Sequence, residues 1–240
     1  GVTAWGLHKF TLLETIEKTR ELGLSFVGGL SFQKVREEIP KKFDCNLTDE
    51  ELYQIRMKMD SAGVRMPTCF YAQIPNDEAG CRQVFEFGRK MGIETFISEP
   101  APESLDLIER FCDEYDIKLG IHNHGPDQSP VYWRPEGVIE VCKGRSQRIG
   151  ACPDTGYWIR SGIDPIEGIR KLGDRIVTIQ PHDLSEISPQ GHDVPWGTGK
   201  AKIGQLLGEL SRLGIQPTLI GLEYSYDYAD NMPEMAECVE

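Results

Sequence analysis

The sequence predicts an α/β protein, a (β/α)8 TIM barrel slightly short at its termini, with residues 1–240 forming one domain. Three observations point to it. Eight short apolar runs alternate with longer segments whose apolar residues recur at helical spacing, the pattern of βα units feeding a parallel sheet. Most helical segments stop at a glycine just before the next run, as helices do when a left-handed residue closes them. No Gly-x-Gly-x-x-Gly follows the first run, which weighs against an open doubly wound sheet.

In chain order, Val2–Trp5 is the first strand. The segment from Thr11 to Leu22 sets Leu12, Leu13, Ile16 and Leu22 among charges, an amphipathic helix closed by Gly23. Leu24–Val27 is the second strand, ending in Gly28-Gly29, and a polar loop runs from Lys34 to Asn46. Thr48-Asp-Glu-Glu51 has capping-box form and opens a helix to Ala62. Val64–Phe70 is the third strand, Asn76 or Asp77 starts a helix that stops at Gly92, and Ile93–Ser98 is the fourth strand. Leu105, Ile108, Phe111 and Cys112 line the next helix, which hands over to a fifth strand, Ile117–His122. A short helix spans Arg134-Pro135 to Lys143-Gly144, and Arg148–Cys152 is the sixth strand. Asp164-Pro165 is a good cap and first-turn pair for a helix to Leu172, before the seventh strand, Ile176–Gln180. A long loop with Asp183, His192 and Trp196 leads to a helix from Ile203 to Leu213 and an eighth strand, Pro217–Leu222. A last helix is expected after Asn231-Met-Pro233.

A net charge of −12 and a pI near 5.0 argue against a nucleic-acid backbone as partner. No apolar run reaches the roughly 18 residues that a membrane-crossing helix requires. Seven cysteines without Cys-x-x-Cys spacing fit buried free thiols, with Cys69, Cys112, Cys142 and Cys152 in apolar stretches. No signal peptide is visible. The chain starts inside a strand, so an upstream leader that has been removed is one expectation, and cytoplasm and periplasm both stay open.

In a (β/α)8 barrel the active site stands at the C-terminal ends of the strands. Here those ends carry Glu99 on the fourth, His122 and His124 on the fifth and Asp154 on the sixth. The seventh ends in Gln180 with His182 and Asp183, and the eighth in Glu223. Core packing calls for apolar side chains there, and burying unpaired charge is expensive, so the set as a whole points to chemistry. His122 and His124, two apart, share a face if the strand continues. A ring of His, Asp, an amide and Glu resembles a divalent-metal site. Imidazole with carboxylate suits Mn²⁺, Co²⁺, Fe²⁺ or Zn²⁺, whereas Mg²⁺ prefers oxygen and water. Taken singly, Asp154 could be a helix cap beside Gly156 and Glu223 a solvated strand end. Tyr157, Trp158 and Trp196 either wall a sugar ring or pack their loops. Arg160 and Arg175 either bind an anionic substrate or pair with surface acids.

The stretches Val84–Pro100, Ile121–Pro126, Asp154–Pro165, Lys171–Ser185, Asp193–Gly199 and Leu222–Tyr224 together resemble the xylose-isomerase-like TIM barrels, a broad group of sugar and sugar phosphate isomerases and epimerases. The likeness covers nearly the whole chain. It implies a divalent ion held by His122, Asp154, Gln180 and Glu223. Gln180 stands where relatives usually have His, and its neutral amide oxygen is a poorer donor. Tyr157 stands where relatives often carry a substrate-touching His, and His182 where Lys is common. A second glutamate that many epimerases use is His122 here, so a two-glutamate mechanism does not transfer.

The activity implied is a metal-dependent sugar isomerase or epimerase that abstracts a proton beside a carbonyl through an enediolate. Glu223 is the first choice of base, with Glu99 or His124 opposite it. Tyr157, Trp158, His182, Arg160 and Trp196 are the expected substrate contacts. A keto-sugar lyase or dehydratase on the same site is the close alternative, and a degenerate sugar-binding barrel is a second, motivated by Gln180 and Tyr157. An apurinic endonuclease shares the barrel, but five histidines and the charge of −12 count against it. The expected partner is a small-molecule sugar, with no nucleic acid and no membrane. Barrels of this kind often pair, so a homodimer is possible on sequence grounds. No glycine-rich phosphate loop stands out.

Overall fold

The computed structural model describes residues 1–226 and 228–240. Its strands are β1 (Val2–Thr3), β2 (Phe26–Leu30), the hairpin strands β3 (Lys34–Arg36) and β4 (Ile39–Lys42), β5 (Arg65–Phe70), β6 (Thr95–Ser98), β7 (Lys118–His122) and β8 (Ile149–Cys152). Six of them form one parallel sheet in the order β1-β2-β5-β6-β7-β8. Two further staves close it. Ala151 bridges to Ile176, Asp154 to Gln180, Ile179 to Ile220, and Val2 to Leu222, all in parallel. Hydrogen bonds from Val177 N to Ala151 O (3.0 Å), Gly221 N to Ile179 O (2.9 Å) and Thr3 N to Leu222 O (2.9 Å) complete the circle. The fold is the expected TIM barrel. Its seventh and eighth staves pair by isolated bridges rather than full ladders, and Pro181 and Pro217 at their borders have no N–H to extend a ladder.

The barrel is wrapped by α1 (Leu12–Glu21), α2 (Asp49–Ala62), α3 (Glu78–Met91), α4 (Leu105–Tyr115), α5 (Pro135–Val141), α6 (Thr155–Arg160), α7 (Pro165–Leu172), α8 (Ile203–Arg212) and α9 (Met232–Glu237). Their ends follow the sequence. Thr11 with Glu14 and Thr48 with Glu51 form complete capping boxes, Asp77 and Asp164 cap α3 and α7, and left-handed Gly63 and Gly92 close α2 and α3. Apolar side chains of the strands, such as Val27, Cys69, Phe96, Leu119 and Ile149, meet Ile16, Ile55, Phe85 and Ile108 from the helices in one buried cluster. All seven cysteines are free thiols, five of them buried, including the four that the sequence placed in apolar stretches. Among the described residues, no helix is long and apolar enough to cross a membrane.

Three local expectations are corrected. Gly28 and Gly29 do not end β2 but lie inside it, where a Cβ on Gly28 would sit 2.8 Å from Thr68 Oγ1 and one on Gly29 2.5 Å from Met66 Sδ. The segment expected as a polar loop from Lys34 folds as the antiparallel hairpin β3–β4, because Val35 and Ile39 are buried between its charged residues. The first strand stops at Thr3, and Ala4–Leu7 form a 3-10 turn that leaves Trp5 39 % exposed.

Candidate active site

The C-terminal mouth of the barrel opens on a cavity of about 240 Å³. His122, His124, Asp154, Tyr157, Gln180 and Glu223 form its polar wall, and Trp5, Leu30, Phe32 and Phe70 its apolar one. The β7 end is locked to the β8 end by Asn123, whose Nδ2 donates to Asp154 O (3.1 Å) while its Oδ1 accepts from Asp154 N (3.0 Å). Asn123 is therefore the scaffold of the His-Asn-His segment, and the two imidazoles flank it. Asp154 also caps α6, its Oδ1 accepting from Tyr157 N at 3.0 Å, which leaves Oδ2 facing the interior.

Two groups of donors meet here. Asp154, His182 and Glu223, all buried, place ligand-capable atoms within 4.8 Å of one another. His182 Nε2 lies 3.3 Å from Asp154 Oδ2 and 3.7 Å from Glu223 Oε1, yet makes no hydrogen bond. The Nδ1 of His182 is 2.7 Å from Asp193 Oδ1, and Asp193 Oδ2 accepts from Ser225 Oγ (3.1 Å) and Ser225 N (3.3 Å). Glu223 is steadied by Thr3, whose Oγ1 donates to Oε2 at 2.9 Å. Gln180 Oε1, from a residue lining the same cavity, is likewise buried without a hydrogen-bond partner among the described residues. Unsatisfied buried polar atoms are costly, and His182 Nε2 beside a pair of carboxylates, with the unpartnered Gln180 Oε1 on a residue of the same cavity, suits a divalent cation. A carboxylate pair, an imidazole and an amide oxygen are donors that Mn²⁺, Co²⁺, Fe²⁺ or Zn²⁺ accept.

In the second group, Glu99 Oε1 receives the Nδ1 of both His122, at 3.0 Å, and His124. His122 spans the two groups, since its Nε2 lies 3.6 Å from Asp154 Oδ2. Charge follows from these contacts. Burial would raise the Glu99 carboxyl, but the hydrogen bonds from His122 and His124 bring it down to about 2. Burial would lower His122, but Asp154 and Glu99 at its two nitrogens bring it up to about 9. Burial opposes the imidazolium of His182 too, and Asp154 and Asp193 overcome it and push its pKa well up. Glu223 also rises, since burial raises its carboxyl despite the neighbouring His182.

The remaining sequence-selected residues divide. The Tyr157 ring lies 4.8 Å from that of His124 in the cavity wall. Trp158 does not reach the cavity; it is 1 % exposed and sits in the core, where a Cβ on Gly168 would come within 2.6 Å of its ring. Trp196 packs partly buried outside the lining, its backbone N–H donating to Cys238 Sγ. Arg160 donates from Nε to Gly191 O (2.8 Å) and lies 3.6 Å from Asp193 Oδ2, behind the site. Arg175 binds the carbonyls of Arg145, Ser146 and Ile149, at the N-terminal side of β8. Asp183 organises its own loop, with both oxygens taken by the N–H groups of Leu184, Gly197, Gly199 and Ala201. Sequence reasoning gave no role to Asp193, Thr3, Trp5, Phe32 or Phe70, because none stands out as an ionisable strand end.

The family whose model matches residues 16–239 is described as the xylose isomerase-like TIM barrel. No curated protein matches the chain. Among solved structures, a protein from Parabacteroides distasonis is 30 % identical with a TM-score of 0.78, covering 100 % of this chain and 95 % of its own. A D-tagatose 3-epimerase-like protein is 17 % identical with a TM-score of 0.73, covering 98 % and 93 %. The 3-keto-D-glucoside 4-epimerase of E. coli is 10 % identical with a TM-score of 0.74, covering 100 % and 96 %. At such identities the last two speak for the fold alone. With barrel closure, the strand-end cluster and the matched length in agreement, the chain belongs to the xylose isomerase-like TIM barrel family.

Proposed function

We propose that the protein transfers a proton at the carbon beside the carbonyl of a keto-sugar, as a cation-dependent isomerase or epimerase. The observation that carries this reading is the buried Asp154–His182–Glu223 group, whose Asp154 and Glu223 line one cavity of about 240 Å³ with His122 and His124 of the Glu99–His122–His124 group. Asp154, His182 and Glu223, with Gln180 Oε1 beside them, would hold a divalent ion, which supplies Lewis-acid polarisation of a carbonyl and its neighbouring hydroxyl. Relative to the set expected from the family pattern, His182 takes the imidazole role, and His122 is left bridging two carboxylates.

Glu223 is the proton acceptor, since Thr3 occupies Oε2 but not Oε1. His124 is the opposing acid or base. Its Nδ1 is held by Glu99, which leaves Nε2 of this half-buried ring for a substrate oxygen. Glu99, held ionised by the two imidazoles, orients His124 and does not itself carry the proton. When the carbon β to the carbonyl bears a glycosidic oxygen, loss of the α-proton to Glu223 is followed by cleavage of that C–O bond to form the Cα=Cβ double bond, with His124 protonating the departing oxygen. That is the lyase reading of the site.

The test is exchange in D₂O with Mn²⁺ or Co²⁺ present, offering ketohexoses and a 3-keto-glucoside and following the proton beside the carbonyl by NMR. Deuterium entering at that carbon supports the reading, and no exchange with any keto-sugar overturns it.

A further inference from the structure

The apolar side of the cavity is built as a sequence of rings leading outwards. Phe70 meets His122 edge-on with centroids 5.4 Å apart, Phe32 meets Phe70 at 6.3 Å, and Trp5 meets Phe32 at 6.2 Å. The outer two are left in water: Trp5 is 39 % and Phe32 37 % exposed, although His8 stacks on the indole at 4.6 Å. Single exposed aromatics are ordinary. Two in contact, continuous with a functional cavity, mark a surface built for an apolar group.

Size and charge say which group. The cavity of about 240 Å³ is smaller than the roughly 300–1,000 Å³ of pockets for drug-sized ligands, so it takes one sugar ring. Phe32 and Trp5 form the outer part of the same wall and stay 37 % and 39 % exposed, so a group attached to that ring would continue outwards over them. Among the described residues the lining contains the carboxylates of Asp154 and Glu223 and no lysine or arginine, and His122 is already held between Glu99 and Asp154, so a phosphate ester would find no guanidinium or ammonium partner there.

We infer that Trp5 and Phe32 form a second subsite, which holds the uncharged apolar or aromatic aglycone of a glycoside whose sugar ring fills the cavity, and that sugar phosphates are excluded. The inference rests on the proposed sugar-binding role of the cavity and narrows its substrate to glycosides.

Calorimetric titration of the Mn²⁺-loaded protein with p-nitrophenyl β-D-glucoside, methyl β-D-glucoside and glucose 6-phosphate tests it without turnover. The aryl glucoside is expected to bind about 3- to 10-fold more tightly than the methyl glucoside, with glucose 6-phosphate weakest. Trp5→Ala and Phe32→Ala should each remove most of that preference while weakening the methyl glucoside by a smaller factor. If Trp5→Ala does not fold, Phe32→Ala, beyond a different strand, gives the same reading. Equal affinity for the two glucosides, no binding of the aryl glucoside, a preference that survives both substitutions, or tight binding of glucose 6-phosphate would overturn the subsite. An aryl preference without deuterium exchange would refute the proposed reaction and leave the subsite standing. Exchange without the preference would do the reverse.

Discussion

His182 Nδ1 and Asp193 Oδ1 meet at 2.7 Å in the interior of the barrel, although the residues are 11 positions apart across a long loop. The contact places a proton on Nδ1 and turns Nε2 towards Asp154 and Glu223. A carboxylate behind an imidazole is the usual means of orienting a metal-binding histidine. Asp193→Asn keeps the shape but not the charge. It should weaken Mn²⁺ or Co²⁺ affinity about 10- to 100-fold, measured by titration against a chelator, without abolishing binding.

His124 is expected to act on substrate and not on the ion. His124→Gln should lower turnover by roughly 100-fold or more, the usual scale for losing a general acid or base, while metal content stays at the wild-type level. A variant that lost its metal would place His124 in the cation site instead.

Trp158 separates packing from binding. The whole side chain is buried, so Trp158→Ala should cost about 3–5 kcal/mol of stability in a denaturant titration. Had the residue walled the cavity, the substitution would weaken ligand binding and leave the unfolding midpoint nearly unchanged.

Acid stability should depend on Glu209. On α8 it accepts from Arg212 and, across to α7, from Arg170 Nε at 2.7 Å, and these hydrogen bonds bring its carboxyl from an ordinary 4.5 down to about 2. The folded value lies below the unfolded one, so the folded state binds fewer protons in between. The stabilisation is complete above about pH 4.5 and is lost as pH falls through about 2. Glu209→Gln should therefore be less stable than wild type at pH 7, by a margin that shrinks as pH drops from 4.5 towards 2.

The barrel was legible in the sequence because each βα unit carries its own punctuation. Thr48 with Glu51, Asp77, Asp164, Gly63 and Gly92 mark helix ends by local chemistry that needs no tertiary context. The strand-end residues were legible for the same reason, since a charge closing an apolar run is visible in one dimension. What could not be read was partnership. Nothing in the spacing says that His182 meets Asp154 and Glu223, that His122 lies between two carboxylates, or that Asp193 returns from a loop to hold His182. The apolar wall escaped because Trp5, Phe32 and Phe70 look like ordinary core residues until the 3-10 turn and the ends of β2 and β5 bring them to the mouth.

The central claim is that Asp154, His182 and Glu223 form a cation site. The most direct test is the metal content of purified, untagged protein and of His182→Ala, Gln180→Ala and His122→Ala after soaking in Mn²⁺ or Co²⁺. Near-stoichiometric metal in the wild type, lost in His182→Ala and largely retained in the other two, is the predicted result. Metal retained in His182→Ala but lost in His122→Ala, or no metal in the wild type, would contradict it.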